Sequence, residues 1–187
     1  KQYLDAEDAY RKVIKFGKNS DYYELALYKR GWSYFKQEHY EEALADFITL
    51  LDLKVASGID LENIKSDTER KRLEDTYRVV SLSFSYLGGA DAIVEFFEKK
   101  GPRDYLATLF SHLGEYYLDK RRYADAAKSY HTYVERNPMT KVAPHFNMRV
   151  IEIYQKGGFP KLVVDSKKKY ADTYRLSGEY WTYFNVN

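Results

Sequence analysis

The 187-residue chain has no cysteine, which removes disulfide scaffolds, thiol nucleophiles, zinc–thiolate sites and iron–sulfur clusters from consideration. Only 4 proline and 10 glycine residues interrupt it, few enough for helices to run their length. No stretch approaches the roughly 20 apolar residues of a membrane span. An excess of one charge is missing too: 30 Lys and Arg against 28 Asp and Glu leave +2. Phosphate binding needs a concentrated positive face, so this balance gives weak support to a nucleic-acid partner. The chain opens Lys1-Gln2-Tyr3-Leu4, with neither Met nor an apolar signal core. What is abundant is aromatic: 20 Tyr and 10 Phe within a composition 44% hydrophobic and 31% charged, which excludes disorder. Many rings and few breakers predict helices packed by large side chains.

Internal repetition organises the sequence. Gly31, Ala43 and Phe47 follow one another at twelve and four residues, and Gly114, Ala126 and Tyr130 repeat both spacings. Each set marks a helix–turn–helix unit: the small residues let two antiparallel helices approach, and the aromatics fill the space left. Tyr77, Ser81 and Phe84 with Ala92 and Phe96 form a third copy, since Ala92 to Ala126 and Phe96 to Tyr130 are both 34 residues. Phe146, Val150 and Ile153 with Phe159, Leu162 and Ser166 form a degenerate fourth. Tyr3, Ala6, Tyr10 and Val13 repeat the second-helix pattern alone.

These residues resemble the tetratricopeptide repeat family. Gly31, Tyr34, Tyr40, Ala43 and Phe47 carry the likeness in one unit; Leu113, Gly114, Tyr117, Tyr123, Ala126, Tyr130 and Pro138 carry it in the best one. Two departures stand out, Arg30 where the family usually has an apolar residue and Val55 where a closing proline is common. The resemblance implies an all-α solenoid of antiparallel helix pairs wound as a right-handed superhelix. HEAT-type solenoids, the structural rival, have longer repeats.

The expected layout is a single array. Residues 1–18 are the second helix of an incomplete unit, 22–55 a unit, 56–72 an insertion and 73–100 a unit. Residues 103–138 are a further unit, 143–170 a degenerate one, and 175–187 the opening of another first helix. A phase that starts mid-unit, without the polar caps a solenoid needs, predicts a piece of a longer, bacterial-type array. The insertion of about sixteen residues carries Ser66 and, three residues on, Glu69, a capping box that predicts a long helix over 67–87 ended by Gly88-Gly89.

Chemistry-bearing patterns are sparse. His112 with Glu115 and His131 with Glu135 share helical faces, but a metal needs three or four convergent ligands and no further element completes a set. Neither a Gly-x-Ser-x-Gly elbow nor a glycine-rich phosphate loop is present. Carboxylates follow the periodicity of solvated helix faces, so the expectation is a non-enzyme with no cofactor and no metal site. Basic clusters such as Arg70-Lys71-Arg72, Lys120-Arg121-Arg122 and Lys167-Lys168-Lys169 are short, and most are interrupted or flanked by acids. An RNA-binding helical repeat is the alternative of a different class, and the salt dependence of RNA binding discriminates it.

The remaining expectation is a scaffold that binds a protein or peptide in the concave groove lined by the first helices. Leu25, Tyr28, Trp32 and Phe35 form a second apolar stripe beside the packing residues Leu27, Gly31 and Tyr34. By the resemblance that stripe lines the groove, continued by Arg78 and Leu82, then Ser111 and Glu115. Trp32 fits two roles, groove anchor or a side chain buried by the neighbouring repeat. Tyr28 and Trp32 stand where chaperone-tail-binding members of the family carry Lys and Asn, so that adaptor role is not implied. The Tyr-rich, loosely spaced style is similar to bacterial envelope proteins that assist outer-membrane assembly or Tol and TonB systems, which favours a periplasmic setting. Gly31, Tyr34, Ala43, Phe47, Ser81, Ala92, Phe96, Gly114, Tyr117, Ala126 and Tyr130 are expected to pack the repeats.

Overall fold

The computed structural model describes residues 2–18, 20, 22–61 and 63–186. Lys1, Asn19, Asp21, Glu62 and Asn187, three of which belong to the expected segments 1–18, 56–72 and 175–187, lie outside the described residues. The described chain is all-α, without a strand. Its helices are α1 (Gln2–Lys15), α2 (Tyr23–Lys36), α3 (Tyr40–Ala56), α4 (Asp67–Leu87), α5 (Ala90–Lys100), α6 (Leu106–Asp119), α7 (Tyr123–Arg136), α8 (Ala143–Gly157), α9 (Pro160–Thr173) and α10 (Glu179–Val186). They gather into two compact units, residues 1–87 and 88–187. No single described helix is long and apolar enough to cross a membrane.

In the first unit α2 and α3 are an antiparallel pair. Phe35 meets Tyr40 near the turn, Gly31 meets Phe47 midway, and Glu24 meets Lys54 at the open end. Gly31 is needed for this approach, because a Cβ there would lie 2.9 Å from the Phe47 ring. Leu27, Ala43, Leu44, Phe47 and Leu51 fill the interface, and Tyr77, Val80 and Phe84 of α4 are buried in the same unit. Arg30, the departure from an apolar residue, is matched by Asp46 across the pair. Its Nε and Nη2 donate to the two carboxylate oxygens at 2.8 and 2.6 Å. Burial pushes the Asp46 carboxyl up against the pull of Arg30, whose own pKa that hydrogen bond raises. With no proline at Val55, α3 runs on to Ala56 and carries Lys54, 3% exposed, to within 3.2 Å of both Glu24 and Glu69. The long helix expected over 67–87 is α4, and the Glu69 N–H donates to Ser66 Oγ at its start.

In the second unit the same construction recurs. Tyr117 lies under Arg122, Gly114 meets Tyr130, and Phe110 meets Tyr133, so α6 and α7 are antiparallel. Tyr130 and Tyr133 pass their other edges to Phe146 of α8, which links the pair to the next. Tyr154 packs on Phe159 at the α8–α9 turn and Asn147 bonds Tyr174 at the far end. The helix α5 buries Ala90, Ile93 and Phe97, while Ala92 and Phe96 are only partly buried. Ile93 follows the buried Ser81 by twelve residues and Phe97 follows Ile93 by four. The twelve-and-four spacing of the other pairs is therefore kept by Ile93 and Phe97, one residue beyond Ala92 and Phe96.

A backbone signature accompanies that register. Glu38 and Arg121 have φ of 63° and 57°, unusual for residues with a side chain, and each follows its packing glycine by seven residues. Gly88, seven residues after Ser81, and Gly158, seven after the buried Ile151, have φ of 125° and 76°. A left-handed residue stands at this position in each copy, followed in the third by a second, Gly89, with φ 74°. The copies differ in burial, however: α9 has no buried residue, and exposed Lys167 stands where Phe47, Phe97 and Tyr130 stand in the others.

Candidate partner-binding faces

The repeat pattern makes α2, α4, α6 and α8 first helices. In the first unit, positions three and four apart on α2 and α4 bring their outward stripes side by side. The Tyr28 hydroxyl donates to Asp75 Oδ2 at 3.2 Å. Asp75 also accepts from Arg78 Nη2 at 2.7 Å, and the Arg78 guanidinium rests 5.6 Å from the centre of the Trp32 ring. The Lys36 ammonium lies 5.9 Å from the same ring. Behind it, Phe47 supports Trp32 edge-on at 6.1 Å, and Tyr28 and Phe35 flank it at 6.4 and 5.6 Å. Trp32 is thus partly buried, backed by its own helix pair and flanked on its remaining surface by two cations.

The aromatic run continues beyond the residues singled out in the sequence. Phe35 contacts Tyr40 and Tyr86, which stack on each other at 4.7 Å with 19° between their planes. Tyr86, 59% exposed, is the most open ring of this face, and Leu25 beside the other end is 39% exposed. Tyr28, Trp32, Phe35 and Leu82 are partly buried and Arg78 is exposed. Tyr86 was discoverable, since it follows Arg78 and Leu82 at helical spacing; its closeness to the helix-ending Gly88 hid it among turn residues. Burial pushes the Tyr28 hydroxyl above its usual range, so it stays a donor to Asp75 at neutral pH.

In the second unit the corresponding residues are polar and already engaged. Glu115 of α6 accepts from Arg149 of α8 through both oxygens, at 2.8 and 2.7 Å, and from the buried Tyr130 hydroxyl of α7. Arg149 also reaches Glu152 at 2.6 Å, and the Ser111 carbonyl accepts from Tyr130 at 3.4 Å. The guanidinium of Arg149 holds Glu115 below the ordinary carboxylate range, while burial and Glu115 raise the Tyr130 hydroxyl. Glu115 joins three helices here, and Ser111 and Glu115 present no aromatic surface comparable with that around Trp32. Among the described residues no three His, Asp or Glu side chains converge as a metal site would require.

No family model matches the chain, and no curated protein matches it. Among solved structures, the crystal structure of MamA is similar at 17% identity, with 90% of this chain and 86% of that chain covered and a TM-score of 0.38. The helix pairs described above are what define the fold.

Proposed function

We propose that the chain is a non-catalytic scaffold that binds a protein or peptide on its first-helix faces, centred on Trp32. The observation that carries this reading is the run Tyr28–Trp32–Phe35–Tyr86, which keeps aromatic area open beyond what the α2–α3 interface uses. Apolar area of this kind, rimmed by polar groups, marks interaction surfaces, and Trp and Tyr are the side chains that most often anchor a partner. Arg78 and Lys36 lie over the indole on exposed, movable side chains, a partly buried anchor flanked by charge. Leu25, Leu82 and Arg78 extend the face within the first unit; Ser111 and Glu115 belong to the second unit and form a separate, polar face there. An envelope assembly is the setting that the Tyr-rich repeat style resembles.

The test is selection of peptides from a displayed random library against the wild-type chain, followed by affinity measurements on exposed-residue variants. Tyr86→Ser and Leu25→Ser remove open surface at little expected cost in stability, and each should weaken the selected peptides by about tenfold or more. Trp32→Ala should weaken them further, with a drop in Tm because Phe47 loses a partner. Selected peptides that bind all three variants as tightly as wild type would overturn the assignment.

A further inference from the structure

A second trough lies on the opposite set of helices in the second unit, a cavity of about 720 Å³ running over α7 between α5 and α9. Its volume falls within the range of ligand cavities, about 300–1,000 Å³. It is an open trough, however, which suits a length of chain better than an enclosed small molecule. One part of the lining is apolar: Tyr154, Phe159, Leu162 and Val94, with Phe159 and Leu162 40% and 41% exposed. His131 lies beside them, 6.4 Å from Tyr154, and burial with the Lys169 charge opposite keeps it below the usual histidine range. His131 therefore adds no charge to the trough at neutral pH.

The charge on the two walls differs in sign. The α5 wall lines the trough with Asp91, Glu95 and Glu98, whereas α9 lines it with Lys169. Lys128 and Arg136 of α7 pair with Asp91 and Glu98. Glu95, midway along the wall, is bridged to Lys99 one turn on, and both side chains are about 70% exposed. Exposed pairs of that kind contribute little and exchange readily; the Asp91 and Glu98 pairs are exposed as well, and Glu95, whose pair lies within its own helix, is the carboxylate of this wall not bridged to α7. Counting the acidic Glu135, four acids face three bases around the trough.

The walls also select the conformation of the occupant. All of them are α-helices whose backbone groups are satisfied internally, so an extended peptide finds no edge to pair with. A helix brings its own backbone bonds and needs only side-chain contacts. With 11 residues in α5 and 14 in α9, the walls offer roughly 16–21 Å at 1.5 Å per residue, about three turns. We infer that this trough docks an amphipathic helix of a partner protein, about three turns long, its apolar stripe on Leu162 and Phe159 and a lysine- or arginine-bearing edge along the acidic wall of α5. The site is on the second helices and uses none of the residues around Trp32, so it stands or falls independently of the reading above.

The test uses two synthetic three-turn helical peptides with the same leucine stripe, one edged with lysine and the other with glutamate, titrated by fluorescence anisotropy against the full chain. The lysine-edged peptide should bind about tenfold more tightly than its counterpart. Glu95→Lys should erase that preference, and Leu162→Ser should weaken the lysine-edged peptide by about tenfold. Both substituted positions are exposed, and unchanged melting curves will show that the variants fold. Equal affinity of the two peptides, indifference to either substitution, or no binding of the lysine-edged peptide at millimolar concentration would overturn the proposal.

Discussion

Replacing Gly114 by alanine sets two opposing effects against each other. In an unconstrained helix the change stabilises by about 1 kcal/mol, because alanine loses less backbone freedom than glycine. Here the new methyl would stand 2.5 Å from Tyr130 Cε2 and 3.0 Å from Cδ2, so one of the two helices, or the ring, must give way by about 1 Å. The ring is poorly placed to do so. It is 3% exposed, lies edge-to-face with Phe146 at 4.9 Å, and its hydroxyl is bonded to Glu115, which Arg149 holds through both oxygens. Overpacking of this kind costs about 1–3 kcal/mol, and a weakened hydrogen bond to a carboxylate adds about 1.5 kcal/mol or more. The net expectation is destabilisation by about 1–3 kcal/mol, read as a fall in Tm of about 2–12 °C. A Tyr130→Leu background separates the two effects, since with the ring gone only the helix-propensity gain remains and Gly114→Ala should become neutral or stabilising. Circular-dichroism melts of the four proteins in this cycle are sufficient. An equal cost of Gly114→Ala in both backgrounds would refute the reasoning, and so would a single variant that melts at or above wild type.

Two further outcomes follow from the same unit. Arg121, held at φ 57° in the α6–α7 turn, is an exposed residue in a conformation glycine adopts freely, so Arg121→Gly should stabilise by about 0.5–1 kcal/mol and raise Tm. Glu115 is held below its ordinary value of 4.5 in the folded chain, so its contribution to stability is present above that value and is lost as pH falls through the lowered one. Melts from pH 6 to pH 3 should show a steeper acid loss for wild type than for Glu115→Gln, and parallel curves would remove the Arg149 pairing from the account.

Glycine and aromatic spacing made the α2–α3 and α6–α7 pairs legible, because Gly31 and Gly114 occupy positions where anything larger would collide. The capping box at Ser66 and the Gly88-Gly89 stop likewise marked α4. The α5 register was harder to read. Alanine at 92 mimics the small residue of the other copies, while the position at the conserved twelve-residue spacing holds Ile93, a larger side chain that nothing in the sequence pattern flags. Ion pairs were illegible for another reason: Arg30 looked like a break in an apolar stripe until Asp46, sixteen residues on, was seen to answer it. Of the candidate face, the Leu25–Phe35 stripe could be read from one helix, but the cation placements over Trp32 and the Tyr40–Tyr86 stack depend on how α2, α3 and α4 meet. Glu115 read as a surface residue open to a partner because its commitments to Arg149 and Tyr130 lie 34 and 15 residues away.

The left-handed residue that closes each helix pair also determines where the chain tolerates a change of length. Two or three residues separate α2 from α3, α6 from α7 and α8 from α9, and the reversing residue sits among them. An insertion there would displace the reversal from its packing position and rotate the second helix off its aromatic contact. Between pairs, the connections run from five residues, Gly101–Tyr105, to ten, Ser57–Ser66; the left-handed residues there, Gly17, Gly58 and Gly101, fall within the first two positions of their connections, so added length belongs after them. Added loop length costs little by itself, about 0.6 kcal/mol per doubling. Tags, reporter domains or grafted loops therefore belong in the segments between pairs, and a junction for exchanging repeats between arrays should fall there, with each hairpin carried over as an indivisible cassette.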